Sequence, residues 1–236
     1  MGRNNFFQFK EFRVEQARTA MKVGIDGVLL GAWADLQAAC RVLDVGTGTG
    51  LLALMAAQRS AALIDAVELD LDAAEEARSN FQNSNWASRF RVVAGAFQDF
   101  QPGVCYDHII SNPPFFENGQ PSSNPLRAQA RHAGRLNLRE LLERASVLLA
   151  NKGKISLIIP AEQELRLLEL AKALSLHVTR LVRVAPDESK KAHRLLAELA
   201  KEACPLQEAV FFIRDKGTGL FSESYRELTR DFYLNL

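Results

Sequence analysis

The chain has 236 residues, 47% of them hydrophobic, which is enough to bury a full core in one domain, and its charges nearly cancel, Lys+Arg 29 against Asp+Glu 28. Without a strong net charge there is no global field to draw it onto nucleic acid or an anionic membrane, so any such binding has to be local. Cys40, Cys105 and Cys204 are odd in number and far apart, which argues against a disulfide framework or a metal-ligand pair and fits a reducing cytoplasm, and no apolar run approaches the roughly 20 residues that cross a bilayer.

The N-terminal stretch Phe6-Phe7-Gln8-Phe9-Lys10-Glu11-Phe12-Arg13-Val14 alternates aromatic and polar residues in part, as a half-buried strand or hairpin edge does. Arg3, Lys10, Arg13, Arg18 and Lys22 face only Glu11 and Glu15 here, which makes either a solvated edge or a rim that touches phosphates. Asp26 is placed to N-cap a helix whose Leu29, Leu30 and Trp33 share one buried face. These elements form an extension over about residues 1–38, expected to pack on the side of the sheet that holds the ligand.

Arg41-Val42-Leu43-Asp44-Val45 then reads as a strand that breaks into Gly46-Thr47-Gly48-Thr49-Gly50, followed at once by the apolar helix pattern of 51–57. A strand, glycine turn and helix in that order let backbone N–H groups at a helix start face a small polar ligand. The dinucleotide fingerprint is G-x-G-x-x-G, and here the third glycine comes one residue early, as in the nucleoside pocket of S-adenosylmethionine-dependent methyltransferases, which this stretch resembles. The next strand, 63–68, ends in Glu68 about twenty residues beyond the glycines, where a carboxylate can accept both ribose hydroxyls.

Helix composition over 71–83, a strand at 90–94 and a strand at 106–111 continue the alternation, so a parallel α/β sheet is expected. An amphipathic helix over 136–149, a strand over 154–159 stopped by Pro160, a helix over 162–174 and closing strands at 178–184 and 208–214 complete seven strands. Residues 117–125 and 186–191 read as loops. His108, His177 and His193 lack partnered spacing, and no metal is implied.

The fourth strand runs into Asn112-Pro113-Pro114-Phe115-Phe116, at the end of the sheet where such folds bind ligands. Two prolines fix φ and remove two donors, so the turn presents the Asn112 amide oxygen and the Pro113 carbonyl as rigid acceptors, with Phe115 behind them to stack on a base. That chemistry suits an exocyclic NH₂. Arg127, Arg131, Arg135, Arg139 and Arg144 follow, either as a solvated face or as a seat for RNA phosphates.

Taken together, Phe9-Lys10, Phe12, Arg18, Ala20-Met21-Lys22-Val23-Gly24, Asp26-Gly27, Leu29-Leu30-Gly31-Ala32-Trp33-Ala34, Asp44-Val45-Gly46, Ala66-Val67-Glu68 and Ser111-Asn112-Pro113-Pro114 resemble the bacterial valine tRNA adenine-N6 methyltransferases over nearly the whole chain. The resemblance implies a Rossmann-like class I methyltransferase, a mainly parallel seven-stranded sheet with helices on both faces, which methylates the adenine just 3′ of the anticodon with S-adenosylmethionine as cofactor and tRNA as substrate. It implies cofactor binding by Lys22, Asp26, Asp44, Gly46, Thr47, Gly48, Gly50, Glu68, Ala96, Phe97 and Asn112, catalysis by Asn112, Pro113, Pro114 and Phe115, and substrate contact by Phe115, Phe116, Arg127 and Arg131. Related proteins usually carry Thr where Ile25 stands and Asp where Ala96 stands, so adenine of the cofactor is left to backbone near Phe97 and apolar packing. The Asn-Pro-Pro motif is shared with DNA adenine, ribosomal guanine-N2 and protein glutamine methyltransferases, which keeps guanine-N2 methylation of rRNA open, and with it a non-catalytic nucleic-acid-binding protein of the same fold.

Overall fold

A computed structural model describes residues 4–19, 21–113 and 136–235. The chain opens with a hairpin, β1 (Phe6–Gln8) antiparallel to β2 (Arg13–Glu15), followed by helix α1 (Ile25–Trp33). The parallel units come next: β3 (Arg41–Val45), α2 (Leu51–Arg59), β4 (Leu63–Glu68), α3 (Leu71–Gln82), β5 (Phe90–Ala94) and β6 (Tyr106–Ser111). Helix α4 (Leu138–Leu148), β7 (Leu149–Pro160), α5 (Glu164–Ala173), β8 (His177–Ala185), β9 (Arg194–Ala200), β10 (Gln207–Phe212) and α6 (Glu223–Thr229) finish it.

These strands make one sheet in the order β10-β8-β9-β7-β6-β3-β4-β5. The chain steps outward from β3 through β4 to β5, then crosses back to lay β6 on the other side of β3. That reversal between β3 and β6 opens a crevice beyond their carboxyl ends, the place where open α/β sheets bind ligands. The Ser111 hydroxyl, fully buried, donates to the Val45 carbonyl at 2.8 Å and ties the two strand ends together across it.

The sheet has eight strands rather than the expected seven, and the extra one is β9. Its Arg-Leu-Leu-Ala-Glu-Leu-Ala sequence is made largely of helix formers. Pairing overrides that preference: β9 lies antiparallel between β7 and β8, and Leu195, Leu196, Ala197 and Leu199 are at most 1% exposed. Glu198 is carried into the same layer, where Thr179 donates to it at 2.9 Å and Lys154 and Arg180 pair with it.

A second correction concerns α1. Gly24, extended at φ −137°, is its N-cap, with Asp26 already inside the first turn. The Asp26 carboxylate is drawn away from the helix end because Nε of Arg194, the first residue of β9, donates to it at 2.7 Å. At the far end of the chain Tyr225 and Phe232 are buried against Phe9 and Phe12, and Lys10 N–H donates to the Phe232 carbonyl at 2.8 Å. The aromatic ends of the chain thus close one core behind the crevice.

His108, 1% exposed on β6, shares a 2.9 Å hydrogen bond with Ser156 on β7. Burial, aided by the Lys154 charge, pushes its pKa down to about 3, so the folded protein keeps it neutral while the unfolded chain protonates near 6.5. The unfolded state then binds more protons as pH falls, and stability falls with it. Between pH 6.5 and 4.5 unfolding free energy is expected to drop by roughly 2 kcal/mol in total from this residue alone, the slope steepening toward the acid end. Urea melts across that window should show the slope in the wild type and lose most of it in His108→Asn; equal slopes would refute it.

Candidate active site

The site grows from the end of β3. Gly46, Gly48 and Gly50 take φ of 72°, 55° and 85°, the left-handed region that favours glycine, so the chain reverses tightly into α2. The N–H groups of Gly46 and Thr47 donate to the Val67 carbonyl at 2.9 and 3.1 Å, which seats the turn on β4. Beneath it Asp44 is fully buried, accepting from the Thr47 hydroxyl at 2.6 Å and from Ala53 N–H at 3.2 Å. Burial raises its pKa to about 7, against the pull of those two bonds and with a smaller push from Glu68. Asp44 therefore braces strand end, turn and helix start from behind, outside the cavity lining.

Glu68 stands at the end of β4 beside the turn. One carboxylate oxygen accepts from Gly48 N–H and the other from Asp70 N–H, both at 2.9 Å, and each oxygen keeps a lone pair for a ligand hydroxyl. With Val67, Ala96, Phe97, Ser111, Asn112 and Pro113 it lines a cavity of ≈ 250 Å³. A second cavity of ≈ 430 Å³ is lined by Lys22, Ile25, Asp26, Gly27, Thr47, Thr49 and Arg194. The two share Met21, Gly46, Gly48 and Asn112, so they form one cleft bent around the glycine turn.

Asn112 sits at that bend. Its amide oxygen is buried and has no hydrogen-bond partner among the described residues, which in a protein interior costs roughly 1–3 kcal/mol unless a ligand supplies a donor. In the larger lobe the first three N–H groups of α1 lack a side-chain cap, and Lys22 and Arg194 line the same space. Arg194 was not legible in the sequence, because its strand read as no strand at all. Its only signal is a cation opening a Leu-rich run after His193.

Some expected residues are placed elsewhere. Gly50 shapes the turn without lining the cleft. Of the N-terminal basic residues, Lys10 donates to the Arg230 carbonyl at 2.5 Å, Arg13 pairs with Glu15 at 2.7 Å, and Lys22, which lines the cleft, donates to the Asn4 carbonyl at 2.9 Å. Arg139 pairs with Glu143 across one turn of α4, and Arg144 donates to the Phe100 carbonyl. Pro114, Phe115, Phe116, Arg127, Arg131 and Arg135, with the loop 117–125, lie outside the described residues. Among the described residues no group of three or more His, Cys, Asp or Glu is placed to hold a metal, and no helix is long and apolar enough to cross a membrane.

A sheet reversed at β3 and β6, a glycine turn and an acid at the end of the neighbouring strand define a class I methyltransferase. Residues 27–182 match the family model for the methyltransferase small domain, and the chain belongs to that family. It is 44% identical to the tRNA1(Val) (adenine(37)-N6)-methyltransferase of Aeromonas salmonicida, with all of both chains covered, and 43% identical to the protein of the same name from Trichodesmium erythraeum, with 98% of each covered. Among solved structures, that of a predicted O-methyltransferase from Agrobacterium tumefaciens shares the fold at a TM-score of 0.67 and 20% identity, covering 88% of this chain and 96% of that one.

The residues present fit S-adenosylmethionine. Glu68 offers acceptors for ribose hydroxyls in the smaller lobe, and the uncapped start of α1 with Lys22, beside the Arg194–Asp26 pair, offers donors for a carboxylate in the larger one. The turn itself tolerates little change, since a Cβ on Gly50 would lie 2.5 Å from the Phe81 ring, which stacks on Phe90 at 4.1 Å. Gly50→Ala combines backbone strain with overpacking and is expected to cost about 2–4 kcal/mol. Thermal melts read this directly, and an unchanged midpoint would show that the turn is not the constraint described.

Proposed function

We propose that the protein transfers the methyl group of S-adenosylmethionine to the N6 amine of the adenine at position 37 of valine tRNA, the reaction named for its full-length relatives. The observation that carries the chemistry is the Asn112 amide oxygen, a buried acceptor left open at the bend between the two lobes of the cleft. An aromatic amine is a poor nucleophile because its lone pair is delocalised into the ring. Acceptors that hold its hydrogens, the Asn112 oxygen and the Pro113 carbonyl, favour a pyramidal nitrogen with the lone pair free.

When bound, S-adenosylmethionine supplies a methyl group made electrophilic by its sulfonium. Asn112 and Pro113 would hold the amine with its lone pair turned toward that methyl group, and the proton shed by the methylated nitrogen would leave to water. Asn112 needs no strong base beside it, since its part is orientation and stabilisation of the positive charge growing on nitrogen. The Ser111 bond to Val45 fixes this strand end to the end of β3, so the acceptor is held against the glycine turn before any substrate arrives.

An unpaired loop adenine costs less to extrude than a paired one, which suits a nucleotide next to an anticodon. The near-cancelled charges of the chain imply few phosphate contacts and a shallow salt dependence of tRNA binding. The test offers the protein S-adenosylmethionine with unmodified valine tRNA, the same tRNA with guanine at position 37, and protein-free rRNA, and identifies methylated nucleosides by mass spectrometry. N6-methyladenosine from the first substrate alone is expected. N2-methylguanosine from the second or third would assign the protein to the guanine-N2 reaction instead, and no methylation at all would favour a binding role.

A further inference from the structure

One wall of the smaller lobe does not belong to the sheet. It is the strap that follows β2, from which Thr19 and Met21 reach the cavity, and it is held in place by α3. Glu76 on that helix is only 5% exposed. One of its carboxylate oxygens accepts from the N–H groups of Ala17 and Arg18 at 2.7 and 2.8 Å, and the other accepts from Thr19 N–H at 2.9 Å. Three successive amides closed around a carboxylate make an anion nest, here filled by the protein's own side chain.

Asn80, four residues further along α3 and on the same face, completes the hold. Its amide oxygen accepts from Glu15 N–H at 2.9 Å, and its amide nitrogen donates to the Glu15 carbonyl at 2.9 Å and to the Thr49 carbonyl, inside the glycine turn, at 2.8 Å. One turn of α3 thereby fixes both the strap and the glycine turn, and both contribute residues to the lining of the lobe. What the strap brings into that lobe includes Thr19, 8% exposed, whose hydroxyl is buried without a hydrogen-bond partner among the described residues.

We propose that Glu76 is a positioning residue for the cofactor: through the amides of Ala17, Arg18 and Thr19 it sets the strap as a wall of the nucleoside lobe and couples cofactor affinity to strap order. The proposal rests on the reading of this cleft as the S-adenosylmethionine site. A ligand that contacts the strap has differential affinity for the docked state, so binding and docking become one equilibrium. A Glu76 that served stability alone would leave that coupling at zero.

The experiment measures S-adenosylhomocysteine binding by calorimetry, together with hydrogen exchange of the Ala17, Arg18 and Thr19 amides with and without the ligand. If the wild type does not bind, the reading of the cleft fails. If it binds, the ligand is expected to slow exchange of those three amides, Glu76→Ala to weaken binding by about tenfold or more, and Glu76→Gln, which keeps one acceptor oxygen, to fall between. In turnover the loss should appear in KM for S-adenosylmethionine, with kcat at saturation near that of the wild type. Wild-type affinity in a folded Glu76→Ala, or wild-type exchange at these amides unmoved by a bound ligand, overturns the proposal. The exchange measurement decides alone if the alanine variant does not fold.

Discussion

A buried carboxylate under a glycine turn is the constraint from which the site follows. Asp44 is fully buried, and burial raises its pKa to about 7. Its carboxylate accepts from both the Thr47 hydroxyl and the Ala53 N–H, which ties strand, turn and helix together. Once the turn is fixed, Gly48 N–H fixes a Glu68 oxygen, and the Val67 carbonyl fixes the turn against β4. The Val45 carbonyl then receives Ser111, which delivers Asn112. Glu68 and the strand end that carries Asn112 are thus held by hydrogen bonds to the turn and to β3, the arrangement a preorganised site requires.

The parallel half of the sheet was readable because its information is local. A strand followed by three alternate glycines, an acid about twenty residues on and an Asn-Pro pair after a later strand are each short patterns, and the topology of doubly wound sheets brings their ends together without further input. What failed was long-range. β9 has the composition of a helix, and only its two antiparallel partners make it a strand. With β9 unread, Arg194 and its pairing with Asp26 across 168 residues were invisible, and Asp26 read as a cap. Glu76 was equally silent, since an acid in a polar helix pattern gives no sign that three amides 57 to 59 residues earlier will close on it.

The charge pattern shows the same division. Basic residues near the N-terminus read from sequence as either a solvated edge or a phosphate rim; Lys10 and Lys22 each donate to a backbone carbonyl and Arg13 pairs with Glu15, while Lys22 also lines the cleft. Arg194, which lines the cleft beside Lys22, comes instead from the antiparallel end of the sheet, where no motif marks it. Arg180 lies over the Trp33 ring at 4.1 Å and pairs with buried Glu198, so it ties the last residue of α1 to β8 and β9.

The central claim is that the Asn112 amide oxygen acts on the reacting amine rather than on the cofactor. Turnover of valine tRNA and affinity for S-adenosylhomocysteine, measured side by side for wild type and Asn112→Ala, test it most directly. A contact made mainly in the transition state should lower kcat by orders of magnitude and leave cofactor affinity within a few-fold of the wild type. Comparable losses in both, or turnover that survives the substitution, would contradict the account.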